Sequence, residues 1–429
     1  MPPTFRELST RSKLLTVVGG ALLVAGLTTG TVIAARGSNP GAPPPSATGA
    51  DASPTTAGDG ASGSAPGTSL LPGETTFGRG APSYDFGFNN GIEYGSPGFA
   101  ELPSVQAQVK AAGMPIDRIW APYESPGTNT MASGDIADFT AHINAAKASG
   151  AACYVEIGEV DNLPLLKDEV SFAEPMGCHM FEFGNEVDTA HSSSIANYTQ
   201  QWNADIPALR ALPVCAGTAT VSSGCLFGGP TVAYPTWNDS TGSAYPSGAA
   251  YWMANLNKTN AFPDFVSWHQ YPCNGADGWD TTTARDQEGC LKAIALPASS
   301  CTSNQNNCDY TSFGYSQHEV LGWEQQYLGK LVPTGVSEYN FDPGSATLSK
   351  WAGDGQFTYE WTTKAIDAFV ANHLAFAMQY TALDHASYGD LDMFSDSSPY
   401  APKAQFYGIA ASVKKYGGPS TLAIPNLLP

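Results

Sequence analysis

Two short stretches hold residue types that can do acid–base chemistry from fixed positions. In one, Met180-Phe-Glu-Phe183 reads as a brief apolar strand that runs into Gly184-Asn185-Glu186. In the other, Pro333-Thr-Gly-Val-Ser-Glu-Tyr-Asn340 sets Glu338 near the end of a second strand. A single carboxylate at a strand end says little, because most surface acids are solvated and idle. Two at matched strand ends form a pair: one protonates a leaving oxygen while the other attacks, or activates water. Such a pair works only if its two pKa values differ, so the acid must be kept protonated by its surroundings, including the other carboxylate.

The elements that position this pair follow from the hydrophobic pattern, which alternates strand and helix from about residue 81 onward. Strands are predicted at 84–89, 116–121, 152–157, 180–183, 214–218, 265–271, 333–340 and 375–380. Helices are predicted at 102–112, 133–149, 194–209, 249–257, 317–328, 357–370 and 403–415, with the one after the third strand poorly defined. Eight strand–helix units make an α/β chain that closes as a (β/α)8 TIM barrel, with an open doubly wound sheet as the alternative. In a barrel the loops after the strands form one face, and strands four and seven present Glu186 and Glu338 to each other across its mouth. A separation of about 5–5.5 Å suits double displacement at a sugar carbon, whereas about 6.5–9.5 Å leaves room for a water and gives inversion.

Other polar residues fall at the same strand ends: Asn89, Asn90, Arg118, Trp120, Tyr123, Glu124, Glu156, His269, Tyr271, Asp384 and His385. Alternation puts Arg118 with Trp120, His269 with Tyr271, and Val336 with Glu338 on shared faces. Together, Gly184-Asn185-Glu186, Ser337-Glu338 and Trp268-His269-Gln270-Tyr271-Pro272 resemble clan A of the glycoside hydrolases, (β/α)8 barrels with retaining chemistry. That resemblance implies a β-glycosidase in which Glu186 is the acid/base, Glu338 the nucleophile, and Asn185 the donor to the sugar 2-hydroxyl. It also implies that Tyr271 holds the nucleophile, that His269 lines the same subsite, and that the Arg118 charge favours the ionised nucleophile. Within the clan, Phe181-Glu-Phe-Gly-Asn-Glu186 looks most like the heparanase and β-glucuronidase family, with some likeness to β-xylosidases and arabinofuranosidases. Val187 stands where those relatives usually have Pro, and Tyr380, with Asp384 and His385, occupies the region of a frequent strand-eight Trp. Trp120, Tyr123, Trp237, Trp252 and Trp279 are candidate stacking platforms for sugar rings, and Trp120 and Tyr380 are expected to line the substrate site. Rival readings are a non-catalytic carbohydrate-binding barrel, a relative acting on α-arabinofuranosides, and a metal-dependent hydrolase using His179 and His269.

Bulk properties narrow the partners. Of 429 residues, 19 are basic and 39 acidic, and the net charge of −20 repels nucleic acid and other polyanions, so a neutral oligo- or polysaccharide is the expected partner. Basic residues Arg6, Arg11 and Lys13 precede an apolar run at 14–35, which reads as a signal peptide or a membrane anchor over 1–35. Residues 36–80, rich in Ala, Gly, Pro, Ser and Thr, bury too little apolar surface to order and read as a linker. A barrel over 81–419 and a tail over 420–429 complete the expected organisation, as a monomer that is secreted or held at the cell surface. Eight cysteines without a Cys-x-x-Cys pair fit four disulfides in an oxidising compartment, with Cys215–Cys225 and Cys301–Cys308 as short-range candidates. With seven scattered His, no metal or other cofactor is expected.

Overall fold

The computed structural model describes residues 85–427 except 91–96, 125–126, 159, 189–194, 217–223, 237–244, 274–286, 302–307, 343–348 and 384–390. The expected signal or anchor segment, the linker, the barrel start at 81, Trp237, Trp279, Asp384 and His385 lie outside the described residues. Among the described residues no helix is long and apolar enough to cross a membrane.

Eight parallel strands close into one barrel in sequence order: β1 (Asp85–Asn89), β2 (Ile116–Trp120), β3 (Ala152–Ile157), β4 (Met180–Phe183), β5 (Leu226–Val232), β6 (Phe265–Gln270), β7 (Thr334–Tyr339) and β8 (Phe376–Gln379). The helices that return the chain are α1 (Pro103–Ala112), α2 (Ser133–Ala148), α3 (Leu163–Ala173), α4 (Ile195–Arg210), α5 (Gly248–Asn255), α6 (Gln287–Ala293), α7 (Phe313–Trp323), α8 (Gly355–Ala371) and α9 (Ala404–Lys415). The poorly defined helix after the third strand is α3; Asn162 caps it by accepting from Leu165 N at 3.3 Å.

The fifth strand is not where the sequence pattern put it. Residues 214–216 belong to a turn after α4, and β5 is Leu226-Phe-Gly-Gly-Pro-Thr-Val232. Gly-Gly-Pro reads locally as a breaker. In the barrel both glycines are required by packing: a Cβ on Gly228 would lie 2.0 Å from the Phe265 ring, and one on Gly229 2.4 Å from the Tyr198 hydroxyl.

The barrel's floor is filled by Ile116, Tyr154, Met180, Phe265, Phe376 and Met378. Tyr154, Phe265 and Phe376 meet with ring centroids 5.5–5.8 Å apart, and glycines opposite them make room. A much larger apolar layer joins the outer faces of the strands to the helices. Four disulfides tie the shell: Cys153–Cys178, Cys215–Cys225, Cys273–Cys290 and Cys301–Cys308. Past α9 the described residues form no further helix or strand, yet Thr421 N donates to Ala111 O at 2.8 Å and Leu422 and Ile424 rest on the core.

Candidate active site

The two carboxylates reach the barrel axis by different backbone devices. After β4, Gly184 (φ +89°) and Glu186 (φ +41°) both adopt the left-handed conformation. Gly184 does so at little cost, and a Cβ there would lie 2.8 Å from Val187 Cγ1. Glu186 has no such freedom, and a non-glycine residue held there stores about 1–3 kcal/mol of strain. That turn aims its side chain inward.

Glu338 depends on a bulge. Trp268 pairs with Val336 and the next residue, His269, pairs with Glu338, so Ser337 is the extra residue on β7. Below it Gly335 faces the interior, since a Cβ there would sit 2.4 Å from the Phe376 ring. Val336 packs in the outer layer beside Trp268 and Ala377, so simple alternation would have turned Glu338 outward as well. The expected shared face of Val336 and Glu338 is therefore wrong, and the bulge is what brings Glu338 in.

Beneath the carboxylates lies a buried polar layer centred on Arg118. Its Nε donates to Glu182 Oε2 at 2.7 Å, its Nη1 to Asn89 Oδ1 at 3.0 Å and Glu338 Oε2 at 3.1 Å, and its Nη2 to Asn185 Oδ1 at 2.9 Å. Glu182 also accepts from the Tyr154 hydroxyl at 2.9 Å. Burial opposes ionisation of both partners. For Glu182 the Arg118 charge prevails, helped by His269, Ser267 and Ser337, and holds the carboxyl below its usual range. For Arg118 the surrounding Glu182, Glu338 and Glu156 more than offset burial and keep the guanidinium charged.

Above this layer Glu338 accepts a short hydrogen bond from the Tyr271 hydroxyl. Burial and the adjacent Glu338 charge push that phenol well up, so it remains a donor. His269 Nδ1 lies 3.2 Å from Glu186 Oε1 and 3.5 Å from Glu338 Oε2. Burial lowers the His269 pKa, but the two carboxylates outweigh it and raise it, favouring imidazolium. One oxygen of each carboxylate and one nitrogen of His269 all lie within 4.8 Å of one another. The two carboxylates are therefore close neighbours, nearer the shorter of the two separations than the longer. The Glu186 side chain is 31% exposed and that of Glu338 11%, so solvent reaches the former more readily.

The same three donors are a conceivable cation site. The environment fits one poorly, since Arg118 already shares Glu338 Oε2 and His269 is itself drawn toward its cationic form. The rival pairing of His179 with His269 is excluded by position. His179 precedes β4, at the opposite end of the barrel from His269, and contacts Glu174 at 3.3 Å.

Asn89, Arg118, Trp120, Glu156, Asn185, Glu186, His269, Tyr271, Glu338 and Tyr380 all fall on this face. Trp120 and Tyr380 are nearly buried, with ring centroids 6.2 Å apart, and Arg118 sits 5.8 Å from the Trp120 ring. Glu156 is buried and accepts from the Tyr123 hydroxyl at 3.1 Å, and Tyr123 is 39% exposed. Trp252 is no platform: it is fully buried and packs edge-on against Trp202 at 4.9 Å. Glu124 accepts from Ala132 N at 2.6 Å, at the start of α2.

Two residues that carry little signal in the sequence prove to be part of the network. Glu182 is one, although a charge inside a four-residue apolar strand of a doubly covered sheet was itself a signal. The other is Asp188, whose Oδ1 accepts from Ala233 N at 2.9 Å, tying the loop after β4 to the end of β5. Burial raises its pKa to about 7, opposed by the Ala233 bond and reinforced by Glu186. Nothing in its local sequence announces this.

No protein-family model and no curated protein sequence matches the chain. Solved structures do. A glucosidase from Croceicoccus marinus superposes with a TM-score of 0.51 at 15% identity, over 76% of this chain and 65% of that one. A monomeric β-xylosidase from Caulobacter crescentus CB15 gives 0.51 at 14% identity, over 76% of this chain and 67% of the other. The likeness is one of fold. This chain spans about two thirds of the length of either structure.

Proposed function

We infer that this chain is a retaining glycoside hydrolase that cleaves O-glycosidic bonds by double displacement. The observation that carries this reading is the close pairing of Glu186 and Glu338 at the mouth of the barrel, with Arg118 and Tyr271 on Glu338 alone and His269 within reach of both. Glu338, held by Arg118 and Tyr271, attacks the anomeric carbon as the nucleophile. Glu186, the more exposed of the two, protonates the leaving oxygen and then takes a proton from the incoming water. Asn185, fixed by Arg118, presents its amide toward the sugar ring, and His269 lines the same subsite. Trp120 and Tyr380 offer aromatic walls suited to the apolar faces of a pyranose.

A neutral β-glucoside or β-xyloside is the substrate class we favour. The names of the two structural neighbours point there, and so does a net charge of −20, which disfavours the sulfated and uronate chains of heparanase-like relatives. The apolar run at 14–35 and the four disulfides support export to the cell surface or beyond. A panel of aryl β-glycosides with the product anomer followed by NMR tests the reading, and net retention is expected. Glu338→Gln should lower kcat by at least about 1,000-fold, whereas Glu186→Gln should keep measurable turnover on substrates with good leaving groups. Inversion of the anomer, or both variants working at wild-type rates, overturns the assignment. A chelator should leave the rate unchanged.

A further inference from the structure

We propose that Glu182 is a positioning residue that sets the plane of the Arg118 guanidinium and divides its charge, so that Glu338 and Asn185 are aimed together. The proposal rests on the glycosidase reading for its kinetic consequence, and on geometry alone for the placement itself. Glu182 is fully buried at the end of β4, two residues before Gly184. Its two oxygens have different partners: Oε1 takes the Tyr154 hydroxyl, which rises from the apolar floor, and Oε2 takes Arg118 Nε. Holding Nε fixes rotation about the last single bond of the arginine side chain. A guanidinium is planar, so fixing one edge fixes the directions of both remaining nitrogens. Nη1 then meets Asn89 and Glu338, and Nη2 meets Asn185. Tyr154, Glu182 and Arg118 thus form a rigid column from the barrel floor to the nucleophile.

Charge gives the second half of the argument. A buried guanidinium facing Glu338 alone would stabilise that carboxylate strongly and blunt its attack. With Glu182 on its other edge, the Arg118 charge is shared between two carboxylates, and Glu338 faces a nearly neutral pair. Buried ion pairs add little to stability, but they can select one geometry among several. The site therefore keeps a third carboxylate that never touches the sugar.

Glu182→Gln tests the charge, because it preserves shape and leaves the amide oxygen to accept from Arg118 Nε while the amide nitrogen donates to the Tyr154 hydroxyl oxygen. The pH profile of kcat/KM should change in this variant, since it removes a charge from the Arg118 network. kcat should fall about 10-fold or more with KM little changed. Tyr154→Phe tests the placement without touching the ion pair, and a several-fold loss in kcat with an unshifted pH profile is expected. It also keeps the idea falsifiable if Glu182→Gln fails to fold. Crystal structures of Glu182→Ala and Tyr154→Phe supply a readout independent of activity: the guanidinium should leave Asn185 in the first and lose its fixed plane in the second. Wild-type kinetics and pH profile in Glu182→Gln, or an unmoved Arg118 in Glu182→Ala, overturn the proposal. If wild-type protein cleaves no glycoside, the glycosidase reading fails while the crystallographic comparison still decides the placement.

Discussion

Asp188 shows how one residue can be invisible in sequence and consequential in the fold. It sits two positions after Glu186, faces Glu186 and His269, and is drawn out of water by the loop it fastens to Ala233. A carboxyl whose folded pKa is raised binds its proton more tightly in the native state than in the unfolded chain. The stability this contributes is full below about pH 4 and is lost as pH rises through about 7. Asp188→Asn removes that dependence, so its melting temperature relative to wild type should climb between pH 5 and pH 8. A constant difference across that range would show that Asp188 ionises freely. The pair Glu186 and Glu338 was legible in sequence because each ends an apolar strand. Asp188 was not, because its burial is created by β5, which is remote in sequence and was itself misplaced.

At the scale of elements, glycine rather than alternation decides where the chemistry points. Gly335 lets β7 approach the Phe376 ring, and the bulge at Ser337 then turns Glu338 inward. Gly335→Ala places a Cβ 2.4 Å from that ring, a clash that must be relieved by moving β7 or β8. Overpacking of this kind costs about 1–3 kcal/mol, and β7 carries Glu338, the proposed nucleophile. The expected result is a lower melting temperature together with a loss in kcat, and partial recovery of both in Gly335→Ala/Phe376→Leu. Failure of the double variant to recover stability would point to backbone entropy rather than to the clash. The same principle explains the missed fifth strand: Gly228 and Gly229 look like a break until Phe265 and Tyr198 are seen pressing on them.

For the molecule as a whole, the disulfides hold the shell around a mouth whose described residues come from strands spread from β1 to β8. Cys153–Cys178 spans 25 residues and joins β3 to the entry of β4, the strand that ends in Asn185 and Glu186. Replacing both cysteines with alanine should cost about 2–4 kcal/mol in chemical denaturation, with activity retained in the protein that stays folded. Loss of activity without loss of stability would mean the bridge orients β4 directly. The sequence by itself determined the strand–helix alternation, two glutamates at matched strand ends, and the short-range pairs Cys215–Cys225 and Cys301–Cys308, because periodicity and residue type are local. Only the tertiary structure decided that Glu338 faces inward, that Glu182 holds Arg118, and that Asp188 is half-buried beside the end of β5. Each of these depends on what another strand places against the residue, and no local pattern carries that information.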